Sequence, residues 1–228
     1  MNQDKVWEHF QTDGLEKFSL SVPRLNFLLN QASRLAAGRS LRILNIGIGD
    51  AWLEKKCLER GWDVYSLDPI AAAVSAVEAA GGKAMVGHIE DIPFENDFFD
   101  VVFCSEIIEH LSREQIQQGL NEVARILKPN GVLLGTVPFN ENLFEGRVVC
   151  PDCGSVFHRI GHQQTFDLKS LPAVLPKSLQ PTTVRTEYFC DWPTLNWKGK
   201  AIALVKKSLL LAGVHGANEN IFFAARKV

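Results

Sequence analysis

The sequence predicts an α/β protein built on a doubly wound parallel sheet, and two observations carry that prediction. Residues 41–46 form an apolar run dense enough to be a strand buried on both faces, and Gly47 and Gly49 follow it at once. Strand-like and helix-like stretches then alternate as far as residue 137, as in a parallel sheet with crossover helices. Ligands of such sheets bind beyond the carboxyl ends of the strands, so we expect the functional residues there.

Helices are predicted before and between these strands. Pro23 opens a helical stretch that runs to about Leu35, within an amino-terminal flank of residues 1–38. We interpret this flank either as a helical segment packed on the core or as a cap over the substrate. Residues 51–60 and 70–80 are expected to form the next two helices, each followed by glycine.

The glycine turn after the first strand predicts a nucleotide-like cofactor. Residues without a Cβ let a ligand lie against the main chain, and the following helix offers free N–H groups. A dinucleotide fingerprint would require glycine at position 52, where Trp52 stands, so NAD is disfavoured. Asp68 ends the second strand, residues 63–67, where its carboxylate can accept hydrogen bonds from both ribose hydroxyls. The pattern indicates an adenosyl group.

Several motifs in this order resemble those of the class I S-adenosylmethionine-dependent methyltransferases, including the type found in ubiquinone and menaquinone biosynthesis. Residues 45–50 are similar to the first motif of that family, and Asp68 to its ribose-binding acid. Residues 87–94 resemble the segment that holds the adenine, and residues 127–134 the turn into the fifth strand. The resemblance covers most of the chain.

The resemblance implies one methyltransferase domain over residues 1–228, with a Rossmann-like, mostly parallel sheet of seven strands. Residues 221–227 would form the last strand, running antiparallel, and residues 138–166 an insertion on the substrate side. S-adenosylmethionine is the implied cofactor. The residues expected to bind it are Asn45, Gly47, Gly49, Asp50, Asp68, Pro69, His88, Ile89 and Cys104.

Three polar residues just past the fourth strand are the candidate catalytic groups. Glu106, Glu109 and His110 would share one face if the segment is helical, and that face would point at the crevice. Their E-x-x-E-H pattern resembles that of small-RNA 2′-O-methyltransferases and ubiquinone-biosynthesis O-methyltransferases, where it accompanies a divalent metal. Oxygen ligands with an imidazole suit Mg²⁺ or Mn²⁺. General acid/base chemistry, cofactor positioning and a structural role remain as alternatives.

The insertion contains four candidate metal ligands within a short span. Cys150 and Cys153 are the two cysteines of a Cys-Pro-x-Cys-Gly turn, and His158 and His162 follow, four residues apart. Together these four residues predict a structural zinc site. The alternatives are a free or reactive cysteine pair, or histidines that serve the active site. His162 precedes Phe166 in a spacing similar to that of the late histidine of the metal-dependent relatives, so two sites compete for it.

Composition limits the remaining classes of function. With 228 residues, 46% of them hydrophobic, the chain suits one compact domain, and its net charge of −2 disfavours nucleic acid as a partner. Five cysteines, no apolar signal core and no long apolar run predict a cytoplasmic protein. Residues 200–212 predict a basic, apolar helix that packs on the sheet edge, pairs with a second copy or docks on a membrane surface.

The predicted activity is methyl transfer by direct in-line displacement, with O-methylation favoured. The expected acceptor is a small molecule or a lipid or saccharide intermediate, and the expected assembly a monomer or homodimer. The alternative is a non-catalytic protein that binds an adenosyl group or uses zinc as a scaffold.

Overall fold

The structure is a computed structural model that describes residues 3–13 and 15–228. In chain order its strands are β1 Arg42–Ile46, β2 Asp63–Asp68, β3 Lys83–Val86, β4 Phe99–Ser105, β5 Leu127–Pro138, β6 Arg147–Val149, β7 Val156–His158, β8 Leu179–Glu187 and β9 Asn220–Lys227. Its α-helices are α1 Gln3–Asp13, α2 Val22–Ala36, α3 Trp52–Leu58, α4 Ala71–Ala79, α5 Arg113–Ile126, α6 Ser170–Val174 and α7 Trp197–Leu211. Short 3₁₀ helices span Leu15–Ser21 and Ile108–His110.

Seven strands form one sheet in the order β3-β2-β1-β4-β5-β9-β8. β1 pairs in parallel with both β2 and β4, and β4 pairs in parallel with β5. β9 runs antiparallel between β5 and β8. The predicted fold class is therefore confirmed. The sheet is doubly wound and mostly parallel, and β9, the last strand in sequence, runs antiparallel to its neighbours.

Both faces of the sheet are covered, which explains why β1 has apolar residues pointing to both sides. Ile43 faces the side covered by α2 and α3, where it packs with Leu28 and Leu53. Leu44 faces the opposite side, where α5 contributes Leu120 and its neighbours to the core. Successive strand residues point to opposite faces, so a strand covered on both faces carries apolar residues on both.

The two parts of the amino-terminal flank lie in different places. α2 belongs to the core, because Leu28 and Leu29 are buried against the sheet. α1 instead lies over the cavity described below, which Trp7 and Gln11 line.

The insertion after β5 forms a small separate hairpin. β6 and β7 pair antiparallel, with residues 150–155 as the turn between them. Phe139 and Phe166 form a bridge where the segment leaves and rejoins the body of the protein. Among the described residues, no helix combines the length and apolarity needed to cross a bilayer.

Candidate active site

A cavity of about 740 Å³ opens at the carboxyl ends of β1, β2 and β4. This is the edge of a doubly wound sheet at which ligands bind. The cavity is lined by the glycine turn after β1, by the end of β2, by the segment after β4 and by α1. Its size and mainly apolar wall suit an organic cofactor together with part of a second substrate.

The glycine turn brings the main chain close to the cavity. Gly47 has φ of 82° and Gly49 has φ of 62°, a region that residues with a Cβ rarely adopt. A Cβ on Gly47 would lie 2.3 Å from the Cδ1 atom of Ile107, so only glycine fits without a rearrangement. Ala51, which begins α3, also has a positive φ, of 59°. The turn is held in a form that exposes its backbone to a ligand.

Asp68 is the buried carboxylate at the end of β2. Its oxygens accept hydrogen bonds from the backbone N–H groups of Ile48, at 2.8 Å, and Ile70, at 2.9 Å. Burial raises the pKa of Asp68, and these hydrogen bonds oppose that rise. The carboxylate is thus fixed between the glycine turn and the start of α4, as a ribose-binding acid requires.

Gln11 of α1 contacts this carboxylate. Its Nε2 atom donates to Asp68 Oδ2 at 3.1 Å, while its Oε1 atom is buried with no hydrogen-bond partner in the described parts of the chain. An unpartnered buried acceptor is costly, so its presence beside a carboxylate marks a position for a ligand that donates hydrogen bonds. Ribose hydroxyls fit this pair, because one can donate to an Asp68 oxygen and the other to Gln11 Oε1. The residues present therefore fit an adenosyl cofactor.

A second buried carboxylate lies behind the glycine turn. Asn45 donates through Nδ2 to the Gly47 carbonyl at 3.0 Å and to Glu54 Oε1 at 2.7 Å. Ser66 of β2 donates to the same Glu54 oxygen. Burial raises the pKa of Glu54 to about 7, against the effect of these donors. The Asn45 side chain therefore holds the backbone of the turn at Gly47, and Glu54 orients the Asn45 side chain.

The other predicted cofactor residues divide into two groups. Asp50, Pro69, His88 and Ile89 line the cavity, and the His88 side chain is exposed at its rim, with Nε2 4.0 Å from Asp4 Oδ2. Cys104 is buried within β4. Among the described residues that line the cavity, its neighbour Ser105 is present and Cys104 is not. Burial raises the pKa of the Cys104 thiol, so it stays protonated.

The candidate catalytic residues follow β4 but do not lie on an α-helix. Glu106 has φ of 57°, and one 3₁₀ turn, Ile108–His110, follows it. As a result Glu106 and His110 line the cavity, whereas Glu109 is buried behind it. A positive φ in a residue with a long side chain is uncommon and is concentrated at functional sites. Glu106, Glu109 and His110 therefore do not share one helical face, contrary to the expectation from their spacing.

Glu106 is held from two sides. Its carboxylate accepts hydrogen bonds at 3.1 Å from Nδ2 of Asn220, the first residue of β9. Arg24 of α2 lies 4.0 Å away and donates to Ser105 at 3.0 Å. These polar groups surround the end of β4, and Asn220 and Arg24 come from distant parts of the chain.

Glu109, His110 and His162 form a compact cluster. One ligand atom from each lies within 4.8 Å of the others, and both Glu109 oxygens are buried without a hydrogen-bond partner among the described residues. Burial raises the pKa of Glu109 well above its ordinary value, and the charge of Glu106 adds to the effect. Burial and the neighbouring His162 hold the pKa of His110 well below its usual value. Such a carboxyl is neutral, or it is ionised with a cation beside it.

The insertion histidines join this cluster, and the insertion cysteines do not. Cys150 and Cys153 lie at the turn of the hairpin, whereas His158 pairs with Arg147 at its other end. His162 contacts Glu141 through Nδ1, and Glu141, His158 and His162 form a second group of neighbouring ligand atoms. Within the described chain, neither group includes a cysteine. The four predicted zinc ligands are therefore not brought to one point, because the paired strands hold them at opposite ends of the hairpin.

The fold is an α/β domain with a cavity whose lining fits an adenosyl cofactor. Residues 44–135 match the family model described as a methyltransferase domain. This match agrees with the resemblance to class I S-adenosylmethionine-dependent methyltransferases that the sequence motifs carry.

Similar sequences include methyltransferases of two kinds. An uncharacterized methyltransferase of Mycobacterium tuberculosis strain H37Rv is 31% identical over 111 residues, which are 48% of this chain and 42% of that protein. A ubiquinone biosynthesis O-methyltransferase of Rickettsia typhi is 27% identical over 99 residues, 41% of this chain and 39% of the relative. The match thus spans about two fifths of the length of these relatives.

Solved structures show the same fold at low identity. The 1,6-didemethyltoxoflavin-N1-methyltransferase of Burkholderia thailandensis superposes with a TM-score of 0.67 at 14% identity, covering 99% of this chain and 87% of that one. The N-methyltransferase NodS of Bradyrhizobium japonicum has a TM-score of 0.58 at 13% identity, covering 90% and 85%. The first structure holds 1,6-didemethyltoxoflavin and S-adenosylhomocysteine, and the second holds S-adenosylhomocysteine.

Proposed function

We propose that this protein transfers a methyl group from S-adenosylmethionine to a hydroxyl of an acceptor bound in the same cavity. The observation that carries the proposal is the arrangement around Asp68. A buried carboxylate, a glycine turn with exposed backbone and the unpartnered Gln11 oxygen converge on one wall of the cavity. This set fits the ribose and the adjoining chain of an adenosyl amino acid.

The chain's own residues bind and orient the reactants. Asp68 and Gln11 hold the ribose, Ile89 lies where the adenine is expected, and the turn at Gly47 admits the rest of the cofactor. When bound, S-adenosylmethionine supplies a methyl group already activated by the sulfonium charge. The protein has mainly to align the acceptor for in-line attack and exclude water, as effective concentration supplies much of the rate.

His110 is the proposed general base for the acceptor hydroxyl. It lines the cavity, and its lowered pKa keeps the imidazole neutral and able to accept a proton at neutral pH. Trp7 of α1 covers it with an edge contact, the ring centroids being 4.3 Å apart. Glu106 lies at the same wall, where it positions an acceptor through hydrogen bonds. O-methylation is favoured because a neutral base beside the cavity suits a hydroxyl more than an already nucleophilic amine.

A divalent metal site at Glu109, His110 and His162 is the alternative use of this cluster, in which His110 would hold the ion instead of acting as the base. The buried Glu109 carboxylate has no partner in the described residues, and two imidazoles lie within reach of the same point. One carboxylate and two imidazoles suit Mn²⁺, Fe²⁺ or Zn²⁺. When bound, such an ion would lower the pKa of an acceptor hydroxyl. Glu141 orients His162 through its Nδ1 atom, as outer carboxylates do for metal-binding histidines.

Zinc at the hairpin would need ligands beyond those that the structure places there. Cys150 and Cys153 remain close to each other at the exposed turn, and their thiols are free. Two thiolates alone fill half of a tetrahedral site. The geometry favours the alternatives of a free cysteine pair and of histidines that serve the active site.

A transfer assay tests the proposed reaction. The protein is incubated with S-adenosylmethionine carrying a labelled methyl group and with separate water-soluble and lipid fractions of a cell extract. We expect label in a product of one fraction, stable to mild base as an ether is. Absence of transfer by a folded chain that binds S-adenosylmethionine would favour the alternative of a non-catalytic adenosyl-binding protein. The cytoplasm is the proposed location, and a small molecule the proposed partner.

A further inference from the structure

Helix α7 presents a large apolar face that no other residue of the described chain covers. Of the residues in this fully described helix, Ala203 alone is buried. Leu204 is 56% exposed, Val205 58%, Trp197 75% and Leu211 90%. At 100° per residue, these four side chains fall on one side of the helix. Large exposed apolar patches on soluble domains mark interaction sites. We call this side the α7 face.

The charge around the α7 face has one sign. Residues 192–218 contain four lysines and no aspartate or glutamate, although the whole chain has a net charge of −2. At 100° per residue, Lys200 and Lys207 border the face on one side and Lys198 borders it on the other, whereas Lys206 lies on the opposite side of the helix. An apolar strip bordered by lysines is typical of a helix that lies in a membrane interface with its cations toward anionic headgroups.

The segment that contains α7 leaves and rejoins the sheet at the edge where the cavity opens. The chain leaves β8 at Glu187 and returns to β9 at Asn220, and these two residues are paired in the sheet. Asn220 donates to Glu106, which lines the cavity. The excursion that contains α7 thus starts and ends beside the acceptor side of the cavity.

We propose that the α7 face docks the protein on the surface of an anionic lipid bilayer, and that the methyl acceptor is presented from that surface. The second clause rests on the proposed methyl transfer, whereas the docking itself does not. The helix has 15 residues, too few to span a bilayer, so it lies in the interface. A second copy of the chain is the less favourable occupant, because a symmetric contact would bring the lysines of both copies together with no acid from residues 192–218 to pair with them.

Vesicle sedimentation is the direct test. The full chain is mixed with vesicles of phosphatidylcholine alone and with vesicles that also contain phosphatidylglycerol. We expect binding to the anionic vesicles only, and weaker binding as salt screens the lysines. Equal binding to both compositions, or no binding by folded protein, would overturn the proposal.

Two variants and one control separate the charge from the apolar face. The variant Lys198→Gln with Lys207→Gln should weaken partition to anionic vesicles by about tenfold or more, because each lysine near such a surface contributes measurably. The variant Leu204→Gln with Leu211→Gln should remove most binding, and it leaves the fold intact because both side chains are exposed. The control Lys55→Gln with Lys177→Gln removes the same charge from exposed lysines elsewhere and should change partition less than about twofold.

Titration with S-adenosylmethionine keeps the two proposals apart. Neither α7 variant should change that affinity, since α7 lies outside the cavity lining. Vesicle binding without S-adenosylmethionine binding would overturn the proposed methyl transfer and leave the docking surface standing. A dimer in solution that Leu204→Gln with Leu211→Gln splits, together with no vesicle binding, would assign the face to a second copy instead.

Discussion

Gln11 and Asp68 are joined across the cavity, with the Gln11 Nε2 atom 3.1 Å from Asp68 Oδ2. The two residues are 57 positions apart in sequence, one on the amino-terminal helix and the other at the end of β2. α1 is thereby tied to the carboxylate proposed to bind the ribose. This contact places α1 against the proposed cofactor site, and the interpretation of the flank as a cap over the substrate stays a prediction.

Replacing Gln11 by alanine should weaken S-adenosylmethionine binding by about five- to tenfold, the effect of losing one hydrogen bond to a ribose hydroxyl. Isothermal titration measures it. The matched control is Thr12→Ala, since Thr12 is exposed on the same helix and its hydroxyl bonds only the helix backbone at Glu8 and His9. Equal effects of the two substitutions would show that Gln11 acts through α1 stability alone.

Glu54 should make stability depend on pH. Its pKa is raised from 4.5 to about 7, so the folded state holds a proton that the unfolded chain releases. This contribution is complete below pH 4.5 and is lost as pH rises through 7. Relative to Glu54→Gln, the wild type should lose about 2 kcal/mol of unfolding free energy between pH 5 and 8. Denaturant titrations of both proteins measure it, and parallel pH profiles would contradict the buried, protonated Glu54.

His110→Ala should lower turnover about a hundredfold or more while leaving S-adenosylmethionine affinity within about twofold, because a general base acts in the transition state. The assay is initial rate with the acceptor found by labelled transfer, alongside titration of the cofactor. His215→Ala, outside the described cavity lining, is the control and should retain the rate. An equal fall in affinity and rate for His110→Ala would assign His110 to cofactor binding instead.

Added Mn²⁺ or Zn²⁺ should raise the melting temperature of the wild-type protein, because a cation that binds only the folded state stabilises it by mass action. Glu109→Gln should remove that increase, since the amide lacks the charge that balances the ion. Glu141→Gln should reduce it by weakening the orientation of His162. Cys153→Ser is the control from the same insertion. If Cys153→Ser alone removes the increase, the metal lies at the cysteine pair.

The sheet and the side of the cavity formed by the glycine turn and Asp68 could be predicted from sequence, because both depend on local patterns. The apolar run of β1, the glycines after it and Asp68 at the end of β2 each carry their signal within a few residues. The burial of Glu54 was not predicted, although Glu54 is close in sequence to Asn45, because a glutamate in the first turn of a helix ordinarily faces solvent. In the folded protein Glu54 is buried and accepts hydrogen bonds from Asn45 and Ser66.

The rest of the site depends on contacts between distant segments and on backbone angles. Gln11 reaches Asp68 from α1, and Asn220 reaches Glu106 from β9, pairs that no short motif links. The positive φ of Glu106 breaks the helical spacing expected for the residues after β4. Likewise, the spacing of Cys150 and His162 does not reveal that a hairpin separates them.

The most direct test of the central claim is the affinity for S-adenosylmethionine of wild type, Asp68→Ala and Asp63→Ala, measured by isothermal titration. Asp63 begins the same strand but bonds Arg42 and Lys83 on the surface, so it is a matched control. We expect micromolar binding by wild type and Asp63→Ala, and about a hundredfold weaker binding by Asp68→Ala, which loses two hydrogen bonds to a charged acceptor. No binding by folded wild type, or equal binding by all three, would contradict the claim that this cavity is the methyl-donor site.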